Sequence, residues 1–89
     1  MSVKIVAYDL TKPKYYYKDL INAIGKYKNA RITDSLWFIN TEENCQDVFR
    51  NLEIYVDLSD RLFIHDISEK EVSCVNLLST REEFQSLFG

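Results

Sequence analysis

A chain of 89 residues with 46% hydrophobic and 28% charged residues has room for one hydrophobic core and the composition of an ordinary globular domain. Its apolar run after Met1 is short and closes on Asp9, so neither a signal peptide nor a membrane span is expected, and the expectation is one cytoplasmic domain over residues 1–89. The net charge of −3 conceals a split: residues 1–31 carry seven Lys and Arg against two Asp, whereas the remainder carries four basic residues against twelve acidic ones.

Residues 3–10, VKIVAYDL, are rich in β-branched and aromatic residues and read as a strand buried on both faces. Thr11-Lys12-Pro13-Lys14 ends it, because proline lacks a ladder donor and restrains its predecessor. Tyr16, Leu20, Ala23, Ile24 and Tyr27 then recur at helical spacing, which predicts an amphipathic helix over 15–28. Residues 30–41, ARITDSLWFINT, hold two extended pieces meeting at Asp34-Ser35. They read as a tight hairpin or as one strand with a bulge.

Thr41 is the expected cap of a second helix over about 42–56, with Glu42 and Glu43 in its first turn and Cys45, Val48, Phe49, Leu52 and Val56 as its apolar stripe. After a turn at 57–60, RLFIHDI at 61–67 is a further strand, apolar on both faces. A short fifth strand over 71–78 is expected next. Ser79 and Glu82 then form a capping box for a terminal helix over 80–88, with Phe84, Leu87 and Phe88 on its apolar edge. The order strand, helix, strand, strand, helix, strand is the βαββαβ arrangement of α+β ferredoxin-like folds, an antiparallel sheet with helices on one face. The expected core is 3–67, with a C-terminal strand and helix extension over 68–89.

VAYDL at the end of the first strand, the hairpin DSLWFINT and the strand DRLFIHDI together resemble SinR-like proteins, which share a fold with the CRISPR-associated small adaptation subunit and virulence-associated protein D. The resemblance spans residues 3 to about 67 and implies a symmetric dimer. It implies either a non-catalytic bridge that holds DNA or a metal-dependent nuclease using the aspartate that matches Asp9. Ser35 matches the serine that opens the second hairpin strand of such proteins. The chain departs from the nuclease pattern in its first helix, where lysines and tyrosines stand in place of arginines.

The split layout also brings the end of the first strand, the Asp34-Ser35 turn and the start of the last strand to one sheet edge. Asp9, Asp34 and Asp60 there could offer oxygen ligands to Mg or Mn, which would activate water or stabilise a phosphoryl transition state. The simpler reading has Asp34 and Asp60 begin turns and Asp9 cap a local loop donor. Lys12, Lys14 and Lys18 with Tyr15 and Tyr17 form a candidate nucleic-acid surface, where aromatic rings stack bases beside phosphate contacts. The competing reading sends Tyr16 into the core with Tyr15 and Tyr17 beside it.

His65, the one histidine, reads as a packed or interface residue rather than a general base, and neither Cys45 nor Cys74 shows a metal or disulfide spacing. Because two helices cover one sheet face, an apolar set of Val6, Tyr8, Trp37, Ile39, Phe63 and His65 is the expected dimer interface. The C-terminal segment folding back is the competing cover.

The expected function is a small non-enzymatic binding module, homodimeric, holding nucleic acid or a protein partner and with no membrane role. Its alternatives are a metal-dependent nuclease centred on Asp9 and a mobile-element-encoded inhibitor or adaptor of a host protein.

Overall fold

The computed structural model describes residues 2–67 together with Glu82, Ser86 and Leu87. Strand β1 (Ser2–Asp9) is followed by a 3-10 turn (Lys14–Tyr17) that runs into helix α1 (Lys18–Gly25). The hairpin β2 (Lys28–Thr33) and β3 (Leu36–Thr41) comes next, then helix α2 (Cys45–Glu53) and strand β4 (Arg61–Ile67). The strands lie in the order β2-β3-β1-β4, and every neighbouring pair is antiparallel. The result is an α+β domain with a four-stranded antiparallel sheet and two helices.

Register decides which residues the helices cover. Val6 stands opposite Trp37 on β3 and Ile64 on β4, and cross-strand partners share a face. Val6, Tyr8, Trp37 and Ile39 are buried in a cluster with Tyr17, Leu20 and Ile24 before and within α1 and with Val48 and Leu52 of α2. These four residues are therefore core, not a dimer interface. Phe63, paired with Ala7, and His65, paired with Ile5, lie on the opposite face. Because successive side chains of a strand alternate, the six expected interface residues divide between two faces.

That opposite face is covered at one end. Leu87, fully buried, packs with Val3, Ala30 and Phe38, and Asn40 Nδ2 donates to the Leu87 carbonyl at 2.8 Å. Glu82, Ser86 and Leu87 are helical. The expected strand over 71–78, Cys74 and the Ser79 cap lie outside the described residues.

Both helices start differently from expectation. Tyr17, 3% exposed, enters the core, while Tyr16 is 61% exposed. The 3-10 turn rotates the phase so that Tyr17, Leu20, Ile21 and Ile24 face inward, a set that also satisfies helical spacing. In α2 the cap is Asn44, whose Oδ1 accepts the Asp47 N–H at 2.8 Å. Thr41 remains in β3, where its hydroxyl oxygen accepts the Glu43 N–H. The stripe of α2 narrows to Val48 and Leu52, and Phe49 turns partly outward.

Candidate functional site

At the end of β1 the chain opens a cleft of about 430 Å³ lined by residues from three places: Tyr8, Asp9 and Leu10; Lys12, Lys14, Tyr17 and Ile21; and Arg31, Asp34 and Ser35. The β2–β3 turn is pinned beside β1 because the Tyr8 N–H donates to the Ser35 carbonyl at 3.0 Å. The Tyr8 hydroxyl donates to the Asp34 carbonyl at 2.8 Å and accepts from Trp37 Nε1 at 3.0 Å. Arg31 Nη2 donates to the same Asp34 carbonyl at 2.9 Å, and its guanidinium lies over the Trp37 ring, 4.8 Å from the centroid. Arg31 Nε is buried without a hydrogen-bond partner among the described residues. Sequence reasoning does not single out Arg31, whose signal there is one basic residue in a strand otherwise read for hydrophobicity.

The three expected metal carboxylates come to this end of the sheet but have separate partners. Asp9 Oδ2 accepts from Arg61 Nη1 at 3.3 Å, an exposed pair across the β1–β4 ladder. Asp34 pairs with Lys14 at 3.6 Å, again with both side chains exposed. Pairs of this kind contribute little to stability.

Asp60 lies outside the cleft lining and is filled by donors. Oδ1 accepts the Thr11 N–H (2.9 Å), the Thr11 hydroxyl (2.9 Å) and the Tyr17 hydroxyl (2.8 Å), and Oδ2 accepts the Asp57 N–H at 2.8 Å. Desolvation pushes the Asp60 carboxyl up, but the bonds from Thr11 and Tyr17 and the charge of Lys12 outweigh it and hold the group below its ordinary value. No three metal-ligating side chains gather among the described residues. Asp9 and Asp34 each face a cationic side chain, and Asp60 faces four donors, so no two of the three carboxylates share a partner.

The basic and aromatic residues are arranged differently. Tyr15 and Tyr16, 70% and 61% exposed, stack on each other with centroids 4.9 Å apart and planes 26° apart. Lys12 Nζ lies 5.8 Å from the Tyr16 centroid and also pairs with Asp57. Lys14 and Lys18 are exposed on the same short stretch. Tyr17 is the member of the expected set that is not presented, because its ring is core and its hydroxyl is bound to Asp60. Tyr16 stands in its place.

No family model and no curated protein matches the chain. The crystal structure of a hypothetical protein from Thermus thermophilus is similar to it, with 26% identity and a TM-score of 0.66 over 89% of this chain and 98% of that one. The likeness thus extends over nearly the whole of the neighbour.

Among the described residues no helix is long and apolar enough to cross a membrane.

Proposed function

We propose that the protein is a small cytoplasmic, non-enzymatic module that holds nucleic acid, with a ferredoxin-like core of the kind found in the CRISPR adaptation subunit. Support for that core comes from the strand order, in which β3 separates β1 from β2 and β1 separates β3 from β4, so that each β–α–β unit is split. The observation that carries the function is the exposed Tyr15–Tyr16 stack with Lys12 over the Tyr16 ring and with Lys14 and Lys18 exposed beside it in sequence. Exposed aromatic rings stack on bases and ammonium groups donate to phosphates, with Lys12 and Lys14 exchanging their pairs with Asp57 and Asp34 to do so, and neither contact reads sequence. The cleft behind them adds Arg31 to the basic residues at this end of the sheet.

A nuclease centred on Asp9 has less support, because its nearest described partner is the Arg61 guanidinium rather than a second carboxylate. The test is a titration of labelled single-stranded and duplex oligonucleotides, with and without Mn, on the wild type and on Tyr16→Ala and Asp9→Asn variants. Salt-sensitive binding without cleavage is expected, weakened by Tyr16→Ala and unchanged by Asp9→Asn. Cleavage lost in Asp9→Asn overturns the non-enzymatic reading.

The module acts as a homodimer in this reading. Phe63, 58% exposed and stacked on His65 at 6.0 Å, lies on the sheet face that no described helix of the core covers, beyond the end occupied by Leu87. A second copy is the economical cover for such a face. Light scattering at micromolar concentration is expected to give twice the chain mass, and a monomer mass for wild type overturns the dimer.

A further inference from the structure

We propose that a groove between the C-terminal end of α2 and the start of β4 docks a basic amphipathic helix of a partner protein. The groove, of about 790 Å³, is walled by Phe49, Ile54, Leu58 and Leu62. Phe49, Ile54 and Leu58 are 37%, 72% and 109% exposed, so the latter two add almost nothing to the core. A single exposed apolar residue is ordinary, whereas several lining one concavity form a contact patch.

The charge around the patch selects the occupant. Between Glu42 and Asp60 the chain carries six acidic residues against Arg50 alone. Glu53 and Asp57 stand on the groove itself; Asp57 pairs with Lys12, and Glu53 has no ion-pair partner among the described residues. The last carbonyls of α2 add partial negative charge at the same place. Arg61 also lines the groove but is engaged by Asp9.

A nucleic acid is repelled here. A helix with leucine-like residues at i, i+3 and i+4 and lysine or arginine beside them finds both an apolar seat and opposite charge. This surface adjoins the Tyr15–Tyr16 platform through the Lys12–Asp57 pair but differs from it in chemistry, so the protein has a basic, aromatic face for nucleic acid and an acidic, apolar one for a protein.

The test uses a synthetic helical peptide of leucine and lysine added to the isotope-labelled full chain. Amide signals of Phe49, Ile54 and Leu58 are expected to shift, and those of Tyr15 and Tyr16 to stay in place. Ile54→Ser with Leu58→Ser is expected to weaken the peptide about tenfold while leaving the rest of the spectrum and oligonucleotide binding intact, because both side chains are outside the core. Equal binding of a leucine–glutamate peptide of the same pattern, unchanged binding by the double variant, or shifts confined to another face overturns the proposal. A lower solution mass for the double variant than for wild type assigns the groove to a second copy of this chain and overturns it equally.

Discussion

The Tyr17 hydroxyl donates to Asp60 Oδ1 at 2.8 Å, joining the turn before α1 to the turn before β4 across 43 residues of sequence. The same oxygen accepts twice from Thr11. The two loops that flank the β1–β4 edge are thus held by one carboxylate, and the basic, aromatic stretch beside it inherits its position. Tyr17→Phe keeps the ring in the core and removes this link together with the bond that the hydroxyl accepts from the Lys12 N–H at 3.2 Å. It is expected to lower the melting temperature by a few degrees and to loosen residues 11–17 selectively, as read by amide hydrogen exchange.

The same carboxylate sets a pH dependence. Its folded pKa lies below the ordinary value of 3.8, so its contribution is fully present above that value and is lost as pH falls through the folded pKa. Denaturant midpoints measured from neutral pH down to about pH 3 should fall more steeply for wild type than for Asp60→Asn, which has no charge to lose.

Lys4 offers a second check on the packing. Its side chain is 2% exposed, with Nζ 2.6 Å from Ser2 Oγ and 3.5 Å from Asp66 Oδ2, beneath the helices. Removing the anion strands a buried ammonium, whereas replacing the lysine with an apolar side chain of similar length removes charge and need together. Asp66→Ala is expected to cost about 1–3 kcal/mol, and Lys4→Met to be neutral or stabilising. Urea denaturation of both variants distinguishes this from a surface pair, for which the two would be alike.

Core and surface leucines of one segment should differ sharply. Leu52 is fully buried under the sheet, and Leu58 is fully exposed. Leu52→Ala is expected to cost about 2–5 kcal/mol and Leu58→Ala less than about 0.5 kcal/mol, both by chemical denaturation.

Element identity was largely legible because periodicity reports it directly: apolar runs marked β1 and β4, and Val48 and Leu52 marked α2, while the stretch 30–41 fitted a hairpin or one bulged strand and is the hairpin β2–β3. The side that each sheet residue faces was not legible. β1, β3 and β4 are apolar on both faces, so alternation alone cannot say which face the helices take, and Val6, Tyr8, Trp37 and Ile39 went to the core. Phase failed for a related reason at Tyr15-Tyr16-Tyr17, where three identical residues fit helical spacing in more than one way. There the deciding partner, Asp60, is remote in sequence. The meeting of Asp9, Asp34 and Asp60 at one sheet end followed from topology, but the ion pairs and donors that occupy those carboxylates depend on side-chain positions that no spacing encodes.

The proposed nucleic-acid role rests on Lys12, Lys14 and Lys18 acting as phosphate contacts around the tyrosine stack. The salt dependence of oligonucleotide affinity counts such contacts, since each one lost from a single-strand complex reduces the slope of log K against log salt by about 0.7. The most direct measurement is that slope for a labelled single-stranded oligonucleotide, on wild type and on the triple variant Lys12→Ala, Lys14→Ala, Lys18→Ala. The slope is expected to become shallower by about 2, with affinity reduced and the fold unchanged by circular dichroism. An equal slope in the two proteins, or no binding by wild type at low salt, contradicts it.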